Sequence, residues 1–129
     1  MPENLILDTC ALIWLVSDDK KLSTHAREEI DAATVVYVSA ISAWEVSFKT
    51  AKGQLKLPLP PLEWFRRSLD AHNLSLAPLS PEVLTRANEL PWHHHDPADR
   101  FIIATATIDS LCVVTADKRF TKYGVPVLR

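Results

Sequence analysis

Strong charge of either sign, cysteine-rich spacing and long apolar runs are all missing from this chain of 129 residues. Lys and Arg total 14 against 16 Asp and Glu, a formal net charge of −2, which excludes gripping nucleic acid by bulk charge alone. The balance is uneven locally: Arg66, Arg67, Lys118, Arg119, Lys122 and Arg129 lie in the second half and leave room for a basic rim around an acidic centre. Cysteine occurs only as Cys10 and Cys112, each in an apolar segment without metal-type spacing. Both read as buried small hydrophobes rather than as a disulfide. No apolar run approaches the ~20 residues that a membrane helix needs. The opening Met-Pro-Glu-Asn lacks the basic flank and cleavage site of a secretory leader, so a cytoplasmic protein is expected. Repeats and low-complexity tracts are absent, and residues 1–129 are expected to form one α/β domain of ordinary composition, 47% hydrophobic and 23% charged.

What is present is an alternation of strand and helix signals. Leu5-Ile6-Leu7 is a short continuous apolar run of the kind buried on both faces, and Asp8 ends it. A helical turn or two follows from Ala11 to Val16, then a helix over 24–33 behind Ser23 as N-cap. Val35–Val38 predicts a second strand stopped by Ser39, and a helix from Ala40 to Lys52 closes at Gly53. Leu57–Pro61 is too proline-rich for either regular element. Further on come a helix over 62–73, a brief strand at Leu74–Leu76, and helices begun by Ser80-Pro81 and by Asp96-Pro97. Cys112–Thr115 reads as a strand, with a short edge strand at 125–128. Such alternation predicts a three-layer α/β/α domain around a mainly parallel sheet.

Acidic residues fall where such folds collect ligands, at the carboxyl ends of strands. Asp8 and Asp117 each follow a strand, Glu45 lies about two helical turns beyond another, and Asp99 is in the first turn of a helix. Each has a structural alternative. Asp8 can cap the next helix, Ser42-x-x-Glu45 resembles a capping box, Asp96 and Asp99 suit the positive start of a helix, and Asp117 can cap a turn through Phe120. Taken together, three or four carboxylates within ~4–6 Å would repel by roughly 1 kcal/mol per pair in water, and more when shielded. Only protons or cations sustain that crowding. Oxygen ligands favour Mg²⁺ or Mn²⁺ over zinc, and a pair of such ions suits phosphodiester hydrolysis.

The run His93-His94-His95 invites a zinc reading, but consecutive loop residues seldom face one ion. A solvated loop is expected, with one His free to touch a substrate phosphate. Trp14, Trp44, Trp64 and Phe101 fall at helical positions beside aliphatics and read as core, whereas Trp92 is the aromatic suited to touch a substrate or partner.

The motifs Leu-Asp8-Thr9-x-Ala-Leu, Val-Ser39-x-x-Ser-x-Trp-Glu45, His-x-Asp96-Pro-x-Asp99-Arg100, Thr115-x-Asp117-x-x-Phe120 and Tyr-Gly-Val-Pro occur in one order across nearly the whole chain. That ordered set resembles the PIN domain, and within it the VapC toxins of type II toxin–antitoxin pairs. The resemblance implies that Asp8, Glu45, Asp99 and Asp117 bind Mg²⁺ or Mn²⁺, with Asp8 and Asp99 as direct ligands and Thr9, Thr115 and Asp96 in support. It further implies an endoribonuclease leaving 5′-phosphate and 3′-hydroxyl ends, a homodimer, and silencing by a cognate VapB-type antitoxin whose tail enters the acidic groove. Cys10 stands where relatives carry His, Ser or Asn, and Ala116 where Arg is common. Two other classes compete: a phosphoacceptor receiver domain, which would want paired acids after its first strand, and a catalytically silent PIN-like binding module.

Overall fold

A computed structural model describes residues 4–129. Met1–Glu3, most of the opening segment expected to hold no secretory leader, lie outside the described residues. Five strands form one sheet: β1 (Asn4–Leu7), β2 (Val35–Ser39), β3 (Leu74–Ala77), β4 (Cys112–Val114) and β5 (Val127–Leu128). Their spatial order is β3-β2-β1-β4-β5 and every pairing is parallel. Helices α1 (Thr9–Ser17), α2 (Thr24–Ala32), α3 (Ala40–Ala51), α4 (Pro61–Ala71), α5 (Pro81–Glu89) and α6 (Pro97–Asp109) connect the strands, with a 3₁₀ helix over Lys118–Tyr123. The three-layer α/β/α reading is borne out.

Strand alternation divides the core. Leu5 and Leu7 join Val36, Val38, Cys112 and Val114 on one face, packed with residues of α1, α2, α3 and α4, among them Leu12, Ile30, Val46, Trp64 and Phe65. Ile6 and Val113 point the other way, onto Ile102, Ile103 and Phe120. β1 and β4 are therefore apolar at every buried position, which is why they read as unbroken hydrophobic runs. No helix among the described residues is long and apolar enough to cross a membrane.

Helix starts match the sequence signals. Ser23 and Ser80 accept N–H bonds from Ala26 (3.0 Å) and Val83 (3.3 Å). The first helix is longer than the turn or two expected, because Asp8 itself caps it. The helix expected over 62–73 ends at Ala71, and Asn73 instead takes a left-handed conformation (φ 53°) to turn into β3. Of the readings of Ser42-x-x-Glu45, the capping box falls because α3 starts at Ser39, as the end of the strand there suggests: Ser39 accepts the Ile41 N–H (3.2 Å), and Glu45 lies within the helix.

Candidate active site

At the centre of the sheet the chain leaves β1 toward β2 and β4 toward β5, in opposite directions across the order β3-β2-β1-β4-β5. A crevice opens at the carboxyl ends of such a strand pair. Asp8, Glu45, Asp99 and Asp117 all line one cleft of about 330 Å³ there, together with Thr9, Asp96, Lys49 and Arg119.

Each acid is fixed by its own element. Asp8 is buried, and its Oδ1 accepts the Ala11 N–H at 2.7 Å while Oδ2 accepts the Thr115 hydroxyl at 2.5 Å. Burial raises its pKa, and those two hydrogen bonds oppose the rise. Thr115 also accepts the Asp117 N–H at 3.0 Å, which ties the end of β4 to both acids. The Thr9 hydroxyl donates to Glu45 Oε1 and lies 2.8 Å from Ser42 Oγ. Burial, ahead of that hydrogen bond, lifts the Glu45 carboxyl above its ordinary value. Asp96 caps α6 by accepting the Ala98 N–H at 3.0 Å.

Asp99, in the first turn of α6, is crowded by four other acids. Burial first, then the charges of Asp96, Glu45, Asp8 and Asp117, push its pKa to about 8. Asp117 is the exception. Arg119 donates to it from its backbone N–H (2.9 Å), Nε (3.1 Å) and Nη2 (2.8 Å), holding the carboxylate below its usual range. The donor set is dominated by carboxylate oxygen, and three of its four acids are strained toward protonation. Such a set suits a hard divalent cation, which relieves that strain.

Several expectations are corrected. The His93–His95 run is not a solvated loop throughout: the His94 side chain is only 2% exposed, with Nε2 2.8 Å from Asp99 Oδ2 and 3.3 Å from Asp117 Oδ2. His94, Asp99 and Asp117 offer ligand atoms within 4.8 Å of one another. Burial, then the nearby Arg119, keeps its imidazole pKa low. Arg100 explains the inward turn. Its buried guanidinium donates to the carbonyls of Ala87 (2.6 Å), Leu90 (2.9 Å), Pro91 (2.8 Å) and His94 (3.1 Å), pinning the loop to the end of α5. Trp92 lays its ring over that guanidinium at 3.6 Å, so one face is already covered. Only its spacing before Asp99 marked His94 in the sequence, and the burial of Arg100 was not legible.

Trp64 is core as expected and Trp14 packs against the core edge, but Trp44 is 58% exposed, because its position on α3 faces away from the sheet. It stacks on exposed Phe48 with ring centroids 5.0 Å apart. With Ile41, Pro97 and half-buried Phe101 they border an apolar groove that shares Glu45, Lys49 and Asp96 with the acidic cleft. Cys10 is exposed rather than buried, since it follows Asp8 into the cleft wall, whereas Cys112 is buried; both are free thiols. Of the basic residues singled out, Arg119 borders the cleft.

An acidic, oxygen-rich cleft at the switch point of a five-stranded parallel sheet is thus what this chain builds. Residues 5–126 match the PIN domain family, and the chain belongs to it. It is 30% identical over 123 residues to Ribonuclease VapC22 of Mycobacterium tuberculosis, spanning 95% of this chain and 93% of that protein. Among solved structures it is similar in fold to a chain of VapBC2 from Rickettsia felis bound to a promoter DNA fragment (TM-score 0.71, 14% identity, 98% of this chain and 97% of that one). A chain of DNA-bound VapBC from Salmonella typhimurium is similar too (TM-score 0.70, 18% identity, 97% and 96%). Family membership removes the receiver-domain alternative.

Proposed function

We propose that this protein is an endoribonuclease, dependent on Mg²⁺ or Mn²⁺ held by Asp8, Glu45, Asp99 and Asp117, and that it serves as the toxin of a type II toxin–antitoxin pair. The observation that carries the reading is the convergence of those acids from separate elements on one cleft, where burial and the neighbouring charges push the Asp99 pKa to about 8. Similarity to a protein named as a VapC ribonuclease supports the activity, and the VapBC complexes of like fold support a VapB-type partner. The exposed Trp44–Phe48 face beside the cleft gives such an antitoxin apolar surface to bury. A homodimer and a cytoplasmic location belong to the same reading; sedimentation at micromolar concentration tests the former.

A divalent cation bound in the cleft would lower the cost of deprotonating an attacking water and of building negative charge on the phosphate oxygens. The chain's own residues prepare for that. Thr115 and the Ala11 N–H hold Asp8, and Thr9 holds Glu45, so the carboxylates are aimed before substrate arrives. Asp99 would give up its proton to solvent on cation binding, leaving a carboxylate to hold the ion. Lys49 and Arg119, on the cleft wall, are placed to receive the phosphates flanking the scissile bond. Water adds to phosphorus, the 3′ oxygen leaves with a proton, and the strand parts into 5′-phosphate and 3′-hydroxyl ends.

The test is incubation of purified protein with total RNA and Mn²⁺. Cleavage abolished by chelator and by Asp99→Asn is expected. Undiminished cleavage by Asp99→Asn would overturn the site assignment, and a folded wild type that binds Mn²⁺ yet leaves RNA intact would favour a silent binding module.

A further inference from the structure

His94 is held on every side. Its backbone N–H donates to the Tyr123 hydroxyl at 2.7 Å, its carbonyl accepts from Arg100, and its ring edge meets Phe120 at 5.9 Å and 80°. Nδ1 accepts the Asp96 backbone N–H at 3.2 Å. Because Nδ1 is accepting, the neutral ring carries its proton on Nε2. Nε2 is the buried side-chain polar atom that lacks an aligned hydrogen bond among the described residues, yet it lies between the Oδ2 atoms of Asp99 and Asp117. Asp117 has Arg119 as a further partner, whereas Asp99 has no other cationic or imidazole partner within 4 Å among the described residues.

We propose that His94 is a positioning residue: its Nε2–H is shared by the Asp99 and Asp117 carboxylates, fixes their separation at the back of the cleft, and is not itself a metal ligand. It rests on the reading that the cleft takes a divalent cation. The two carboxylates come from different elements, α6 and the turn after β4, and the imidazole is the cross-link between them. A ring whose Nδ1 is occupied as an acceptor has no lone pair left on Nε2 for an ion. The His94–Asp99–Asp117 cluster, whose ligand atoms lie close enough together for one ion, is thereby turned into a donor and two acceptors.

Two measurements decide it. Long-range ¹H–¹⁵N spectra of the metal-free protein, with the His94 signals assigned by their loss in His94→Gln, should show the Nε2–H tautomer; an Nδ1–H tautomer overturns the proposal. Mn²⁺ binding by electron paramagnetic resonance, without RNA, is then compared across variants whose fold is checked by circular dichroism. His94→Gln, whose amide N–H can replace the donor, should bind within ~3-fold of wild type, and His94→Leu should bind ~10–100-fold more weakly. Wild-type affinity in a folded His94→Leu protein overturns positioning. Strong ¹⁴N coupling to bound Mn²⁺ that vanishes in His94→Gln overturns it in favour of direct ligation. A wild type that binds no Mn²⁺ would sink the metal reading itself, while the tautomer spectra still decide the donor assignment.

Discussion

Replacing Asp99 by Asn should make the metal-free protein more stable, and the size of the gain follows from the cleft. The Asp99 pKa is about 8 in the folded chain against an ordinary 3.8. A carboxyl that binds its proton more tightly folded than unfolded makes stability fall as pH rises between those two values, and the whole loss is in place above the higher one. At pH 7 the folded cleft keeps the proton while the unfolded chain has released it, about three units at ~1.4 kcal/mol each, or ~4 kcal/mol as a ceiling. Water reaches the cleft, with the Asp99 side chain 17% exposed, and screening brings the expected gain to about 2 kcal/mol at pH 7. For 129 residues at ~2.1 cal/mol/K each, that is a rise in Tm of about 7 °C. Thermal unfolding in chelator should show the gain at pH 7 and its decay toward zero near pH 4. Saturating Mn²⁺ should reverse the order, since ligand at ~100 times its Kd stabilises the wild type by ~2.7 kcal/mol. An Asp99→Asn protein that melts below wild type by the same margin at both pH values would refute the idea of crowded carboxylates.

Other expectations follow from single contacts. Arg100→Met should cost on the order of 3 kcal/mol in chemical denaturation, because four carbonyls lose a charged donor at a buried site; a loss under ~0.5 kcal/mol, the scale of an ordinary surface change, would mean the clamp is dispensable. Trp44→Ala should leave RNA cleavage intact and weaken capture by the cognate antitoxin ~10-fold or more in titration calorimetry, the loss seen at exposed aromatic anchors; unchanged affinity would place the partner elsewhere. Asp8→Asn should keep the α1 cap and lose cleavage, whereas Asp8→Ala should lose both, with an added stability cost of about 1 kcal/mol; cleavage surviving in Asp8→Asn would make Asp8 a cap alone.

The sheet and the starts of most helices were legible because their signals are local. Leu5-Ile6-Leu7 and Cys112-Val113-Val114 are apolar at successive positions since both faces are covered, and Ser23, Ser80 and Asp96 stand directly before the helices they cap. The acidic positions were legible as an ordered set of motifs. What escaped depends on contacts distant in sequence. His94 looks like its loop neighbours until Arg100, reaching back to Ala87, folds the loop inward and Tyr123, 29 positions on, receives its N–H. Trp44 and Val46 are two positions apart on α3, yet one is exposed and the other fully buried, because the side of α3 that meets the sheet is set by where β2 delivers it. Cys10 faces the cleft for a like reason, the direction in which Asp8 starts α1.

Capping leaves room for the metal role proposed for these acids. Asp8, Asp96 and Asp117 each cap a helix with Oδ1, and Asp8 still has Oδ2 for Thr115 and Asp117 has Oδ2 for Arg119. A cap holds its carboxylate rigidly and presents it to the positive end of a helix, which offsets part of the repulsion among neighbouring acids. Glu45 and Asp99 have no capping bond, and they are two of the acids whose protons are held above the ordinary range. Burial ahead of repulsion raises both, as it raises capped Asp8, so the caps keep the cleft in shape without deciding which acids hold their protons.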